Sequence, residues 1–395
     1  MEIEILNQDR LQTWCARIDL PAAAVAVLSR MAAEIVANPT LAEKFAAFHQ
    51  KTAVKGEWHR EWGPLPFDPE VEDLLGERTS LFYLLAYLAA LPYAEREYRR
   101  RGIGMDIFRA TMLDIRTWFC HEYDLDGRWR FRQFMWIWRH LACELFRLGR
   151  LQFMLSPFEW DVRAFRSRVN AEIKLLAGEN PILRSDGYAL GAGRMKPGDP
   201  FYKEGVPQST ETGWNARYEE RPDGWLGNPI SPYGYVHEET VFLPRSEWEL
   251  ALQAGDTILE LHIPRSDPFT LEVCRDSFRQ AFAFFKEQAP GNPFKAACCH
   301  TWFFTPQLQQ ILPPESNIVR FQREFYLYPV RGTASFLWNF VFGEKYPSLA
   351  SAPRDTSLRR AVLDWLESGQ EIFDLAGVMF HGPEEWGSQL YMGRQ

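Results

Sequence analysis

Apolar residues recur at helical spacing through the first part of the chain. Leu20, Val25, Val27, Leu28, Met31 and Ile35 fall on one side of a helix, and Phe108, Met112, Ile115 and Phe119 repeat the pattern, so residues up to about 150 read as a helical bundle. The longest apolar run, residues 81–94, is short for a bilayer span and carries Pro92 near its end, which predicts a buried helix. A further helix over residues 129–148 is predicted from Phe131, Phe134, Met135, Trp138, Leu141 and Leu145, with Arg128, Arg130, Arg132, Arg139 and Arg147 around it. That basic face reads either as solvated or as a phosphate contact.

The pattern breaks at Leu148-Gly149-Arg150, and residues 151–153 read as a short strand. Residues 184–234 are crowded with Gly, Pro, Asp and aromatics, which predicts a long irregular segment, functional or mobile. Beyond it the period falls to two. Residues 235–243 predict a strand, 246–253 a short helix, and 257–263 a strand stopped by Pro264. Thr270 caps a long helix whose apolar side is Leu271, Cys274, Phe278, Ala281, Phe282 and Phe285, ending before Pro290. Residues 295–304 follow as a strand, 306–312 as a short helix, 318–328 as a strand, and a last helix begins at Asp355 with Gly369 near its end. A strand returning through a helix to the next strand favours parallel pairing of 257–263 with 296–304. The chain therefore reads as α+β, with a helical domain over 1–150 and a mixed-sheet domain over 151–395.

Composition narrows the functional classes. The chain has 395 residues, 15% of them aromatic, and its formal net charge of −8 argues against a general nucleic-acid or anionic-membrane binder. A small-molecule partner fits better; oligomeric state is left open. Six cysteines without CxxC or framework spacing match reduced thiols, and the first residues, MEIEILNQDR, carry neither a basic n-region nor an apolar h-region. The expected location is the cytoplasm.

Chemistry concentrates at strand ends. Alternation in residues 257–263 puts Ile258, Glu260 and His262 on one face, so a carboxylate and an imidazole share the strand's C-terminal end, where ligands collect in sheets with parallel pairs. Either could act as a general base, or the two could be a satisfied polar pair. His300 sits near the end of the next strand. Cys298 lies on its face and reads as a nucleophile or, more simply, as a core thiol. The loop from Pro264 to Thr270 delivers the N-terminus of the long helix, where Arg265, Ser266 and Thr270 could hold a phosphate or merely cap. Arg99-Arg100-Arg101-Gly102-Ile103-Gly104 fits R-x-x-G-x-G but follows a helix rather than a strand. No HExxH, Walker A, GxSxG or zinc-spaced cluster is present, and no metal is expected.

Several stretches together resemble a bacterial acyltransferase family that joins a helical N-acyltransferase N-terminal domain to a GNAT-like C-terminal domain. They are Leu148-Gly149-Arg150-Leu151-Gln152-Phe153; Gly255-Asp256 with Leu261-His262-Ile263-Pro264; Cys274 with Ser277, Ala281, Phe284 and Phe285; Trp302 with Pro306 and Leu308; Ser316-Asn317-Ile318 with Phe321; and Asp355-Thr356-Ser357-Leu358. The resemblance implies a GNAT-like mixed sheet whose strands splay to admit acetyl-CoA or another acyl-CoA, and transfer of the acyl group to a small amine. By position it makes Glu260 or His262 the base, residues 265–270 the phosphate cradle, and Tyr326 or His300 the acid. The loop after Pro264 departs from the family's Q/R-x-x-G-x-G/A pattern. A non-catalytic metabolite-binding or scaffolding protein on the same fold is the alternative.

Overall fold

The structure, a computed structural model, describes residues 3–61, 64–180, 182–190, 197–199, 202–208, 211–265, 268–331 and 335–388. The chain divides into two units, residues 1–154 with 264–267 and residues 155–263 with 268–395.

The first unit contains α1 (Gln8–Arg17), α2 (Ala22–Ala37), α3 (Pro39–His49), α4 (Pro69–Leu75), α5 (Thr79–Leu88), α6 (Leu91–Arg100), α7 (Met105–Asp126) and α8 (Phe134–Leu141). Strands β1 (Phe146–Leu148) and β2 (Leu151–Pro157) follow, with Phe146 opposite Phe153. Asn7 and Asn38 cap α1 and α3 by accepting backbone N–H bonds. Every residue of α5 is buried, so the apolar run is a core helix. It does not continue to residue 94: α6 starts anew at Leu91 with Pro92 in its first turn, a position where proline's missing N–H costs nothing.

The predicted helix over 129–148 is much shorter. Cys143, at φ 56°, takes a left-handed turn that ends helical geometry ahead of β1. The arginines around it are an ion-paired face, with Arg128 and Arg132 exposed to solvent, rather than an open phosphate site. Arg130 and Arg132 lie 3.3 and 2.9 Å from the buried carboxylate of Glu122 on α7, and Arg128 pairs with Glu77. The R-x-x-G-x-G arginines are likewise engaged: Arg99 with Glu95, and Arg100 and Arg101 with Glu97.

A buried polar knot joins α7, α8 and β2. Asp114 accepts from Trp136 Nε1 at 2.6 Å and lies 3.2 Å from His140 Nε2. His140 Nδ1 is 3.2 Å from the Trp136 carbonyl, and Gln152 Nε2 is 3.2 Å from His140 Nε2. The Trp136 carbonyl and the Asp114 carboxylate thus hold the ring from its two nitrogens. Burial alone would raise the Asp114 pKa. The hydrogen bond and charge of His140, with hydrogen bonds from Trp136 and Gln152, outweigh it and hold the carboxyl below its ordinary range.

In the second unit, β3 (Val162–Ser167), β4 (Ile173–Ala177), β7 (Pro229–Ile230) and β9 (Trp248–Leu252) form one antiparallel sheet in the order β7-β4-β3-β9. A second is β5 (Tyr218–Arg221), β6 (Gly224–Gly227) and β8 (Val241–Pro244). The main sheet runs β10 (Thr257–His262), β11 (Ala297–His300), β13 (Leu375–Met379) and β12 (Tyr326–Pro329), with β10 and β11 parallel as expected and β13 antiparallel to both its neighbours. α9 (Leu271–Gln288) connects β10 to β11 and begins at its Thr270 cap. Also here are α10 (Leu308–Ile311), α11 (Asn317–Gln322), α12 (Ser335–Val341) and α13 (Ser357–Glu367).

The two faces of the main sheet are buried differently. Ile258, Cys298, Tyr328, Ala376 and Val378 join Phe158, Val162, Ala164 and Leu175 in one cluster, which packs this face against the β3–β4 sheet. On the other face Gly377 has no side chain, and a Cβ there would come within 2.7 Å of the Phe304 ring. Glycine lets that ring lie against the strand.

Several sequence expectations are corrected. Residues 246–253 contain β9 rather than a helix: across a bulge in its ladder to β3, Trp248 is buried on one face of the sheet and Leu252 on the other, and that ladder outweighs local helix propensity. Residues 318–328 hold α11 and only then β12, because Ser316 accepts from Val319 N and starts a helix. The 235–243 strand shrinks to β8, with Val236 contributing an isolated bridge to Ile230. Residues 184–234 contain a β5–β6 hairpin with Arg221 opposite Gly224. Thr356, not Asp355, caps α13; Asp355 pairs with Arg359.

Removing one partner of a buried pair strands the other, so Asp114→Ala should lower unfolding free energy by about 3–5 kcal/mol in urea titration. The Asp114 contribution is present above the unfolded carboxyl pKa, about 4, and is lost as pH falls through the lower folded value. The wild-type advantage over Asp114→Ala should therefore narrow only on acidification.

Candidate active site

The β10–β11 ladder pairs Leu259 with Ala297 and Glu260 with Cys298, and no later residues of the two strands pair with each other. Beyond it, β11 is still held from its other side, with Cys299 opposite Gly377 and His300 opposite Ala376. The carboxyl ends of two parallel strands therefore part, leaving a mouth bordered by His262 and His300.

Register and alternation set out what faces this mouth. Glu260, Cys298, Val378 and Tyr326 form one cross-sheet row. His300, Ala376 and Tyr328 form the next, one step closer to the open end. His262 Nε2 is 3.3 Å from Glu260 Oε1, so the carboxylate can orient the ring.

His300 stacks on Phe336 at 4.9 Å and meets the Trp160 ring edge-on at 5.4 Å, leaving one side of the imidazole open to solvent. The protein around it pushes its pKa down to about 4, against the opposing pull of Glu260. The ring is therefore neutral near pH 7 and can accept a proton or donate a hydrogen bond.

Tyr328 was not singled out by sequence because the predicted 318–328 strand merged a helix with β12 and lost the register. Its hydroxyl is wholly buried and has no hydrogen-bond partner among the described residues. Burial foremost, with the negative potential of Cys298, Cys299 and Glu260, raises its pKa well above 10. It stays a protonated donor. Trp160, also unforeseen, bridges the row: its ring lies 6.1 Å from Tyr328 as well as against His300. Backbone bonds between Phe158 and both Gly255 and Asp256 fix the loop that carries it. Tyr326 lies one row deeper and borders Phe380. Cys298 and Cys299 are buried on opposite faces with thiol pKa values raised by burial, which suits core thiols rather than a nucleophile.

The proposed phosphate cradle is divided. Ser266 lies outside the described residues. Arg265 belongs to the helical unit, 3.1 Å from His121 Nδ1. Thr270 spends its oxygen on the Val273 N–H as the α9 cap. Glu272, in the first turn of α9, accepts from its own N–H and from Thr270, and with Arg320 and Arg275 nearby its carboxyl is held below the ordinary range. These arginines were missed because no glycine-rich motif marks them. Arg275 Nε is buried with no hydrogen-bond partner among the described residues. Among the described residues no group of His, Cys, Asp or Glu has the arrangement of a metal site.

This layout, a helical unit followed by a mixed sheet with a parting parallel pair, is a GNAT-like architecture. The sequence matches the GNAT-like C-terminal domain over residues 145–379 and the N-acyltransferase N-terminal domain over residues 9–143. The chain belongs to the family of proteins with this GNAT-like C-terminal domain. A comparison with curated proteins gives no match. Among solved structures, an acyltransferase mutant in complex with octanoyl-CoA is similar at 19% identity and a TM-score of 0.60, covering 93% of this chain and 87% of that one. An acyltransferase in complex with decanoyl-CoA and teicoplanin has the same identity and TM-score over 94% of this chain and 87% of its own. These likenesses show the fold.

Two outcomes follow from the geometry. Imidazole NMR should give His300 a midpoint near 4. Tyr328→Phe deletes an unpaired buried hydroxyl, so its unfolding free energy should stay within about 1 kcal/mol of wild type or rise; a loss of about 3 kcal/mol would mean the hydroxyl has a hidden partner.

Proposed function

We propose that the protein transfers an acyl group from an acyl-CoA to an amine, with the thioester seated in the mouth between β10 and β11. The observation that carries this reading is the parting of the two strands beside Glu260, His262 and His300. The family and the acyl-CoA complexes of the similar structures support it. Those complexes with octanoyl-CoA and decanoyl-CoA favour a medium-chain donor over acetyl-CoA.

The chemistry needs a base, a polarising donor and an acid. His262, backed by Glu260, takes the proton as the amine nitrogen attacks the thioester carbon. The tetrahedral intermediate then expels CoA thiolate, which takes a proton from a water held by His300. The N-terminus of α9, with Arg275 and Arg320, takes the pyrophosphate where the family's glycine-rich loop is missing. Glu272 already holds an anion's place there and must yield it.

Thermal unfolding with acetyl-CoA, octanoyl-CoA, decanoyl-CoA and CoA tests the donor: a ligand at a hundredfold excess over its Kd stabilises by about 2.7 kcal/mol. No shift with any of them overturns the proposal. His262→Ala should keep the shift while lowering kcat by about 10²-fold or more, read as thiol release in the presence of a primary amine. Glu272→Gln should tighten CoA binding in calorimetry, and Arg275→Ala with Arg320→Ala should weaken it. Binding of CoA without transfer to any amine would favour the non-catalytic alternative.

A further inference from the structure

The helical unit contains a cavity of about 640 Å³, within the range of small-molecule sites, that takes no part in the chemistry above. Its walls include Phe48, Trp58, Phe67 and Tyr83. Phe67 lies flat on Tyr83 at 4.7 Å, Phe48 meets Tyr83 edge-on at 5.0 Å, and Trp58 abuts Tyr87 at 5.2 Å. Packing among themselves fixes these rings, so a guest meets preformed aromatic faces.

The charged lining divides into satisfied and unsatisfied groups. Lys44 is held by Asp68 and Glu70, and Arg60 by Glu144. Among the described residues, Glu57 and Glu61 make no ion pair and neither does Lys51, which leaves carboxylates in excess at the rim. The backbone adds an independent sign. α3 does not end conventionally but widens into a π-helical turn, Gln50–Val54, and this turn brings Lys51 and Thr52 to the cavity lining. π-turns cost backbone hydrogen-bond geometry and recur where proteins bind ligands.

From the aromatic walls and the unpaired carboxylates we infer that this cleft binds an aromatic small molecule bearing a primary ammonium group. Rings stack on Phe67, Tyr83 and Trp58, and the ammonium sits against Glu57 or Glu61 with cation–π support from the walls. Assigning the cleft to the amine that becomes acylated rests on the acyl-transfer reading; binding itself does not.

Calorimetry on the full chain without any CoA provides the test, with tyramine as probe and 3-(4-hydroxyphenyl)propionate as its anionic counterpart. Tyramine should bind saturably and the acid at least about fivefold more weakly. The Glu57→Gln, Glu61→Gln double variant changes only rim residues and should lose the preference, while Trp58→Ala should weaken both probes. The inference is overturned if tyramine gives no binding at millimolar concentration, if the acid binds as well as the amine, or if the double variant is unchanged. Loss of tyramine binding with CoA stabilisation intact condemns the cleft alone. Tyramine binding without any CoA effect condemns the transfer reading and leaves the cleft standing.

Discussion

Parallel strands that stay paired along their whole length leave nothing between them, and strands that never pair cannot be held in register. β10 and β11 do a little of each: Leu259 and Glu260 find partners, and the residues after them do not. The separation is stable because β11 is held from its other side by β13, so its carboxyl end keeps its ladder hydrogen bonds after leaving β10. The positions of Glu260, His262, His300 and Tyr328 depend on that short ladder. Each sits where it does by counting residues from it.

Much of this was legible in the sequence, for reasons that can be named. Thr270 followed by a long amphipathic stripe specifies α9 without help from the rest of the chain, and strict alternation from Ile258 to His262 specifies a strand and its polar face. The parallel pair followed from the handedness of strand, helix, strand. The failures occurred where local signals compete with distant partners. Trp248-Glu249-Leu250-Ala251-Leu252 suits a helix on its own and becomes β9 because β3 offers a ladder. Ser316 was a visible helix cap, yet β-branched Ile318 and Val319 drew the reading towards a strand, and with it went the register that places Tyr328 beside the mouth. Trp160 could not be found by periodicity, since it lies in a loop whose position is fixed by bonds to Gly255 and Asp256, far away in sequence.

Charge tells a similar story in the helical unit. A cluster of arginines in a sequence is indistinguishable from a phosphate site until its counterions are known, and here Glu122, Asp126 and Glu77 supply them from other segments. The same reasoning picks out Glu57 and Glu61, whose carboxylates line a cleft without such counterparts among the described residues. What marks a site in this protein is less the presence of charge than charge left over after intramolecular pairing.

The placement of β13 has a consequence for how the protein comes into being on the ribosome. Among the described residues it is the last strand, yet it lies between β11 and β12. Until residues 375–379 emerge, β11 and β12 have no common neighbour, and β11 has only its brief contact with β10. The row that joins His300 to Tyr328 through Ala376 therefore does not exist in a nascent chain. This face of the sheet is completed only when β13 is in place, and the edges awaiting β13 are the surfaces most in need of protection before then.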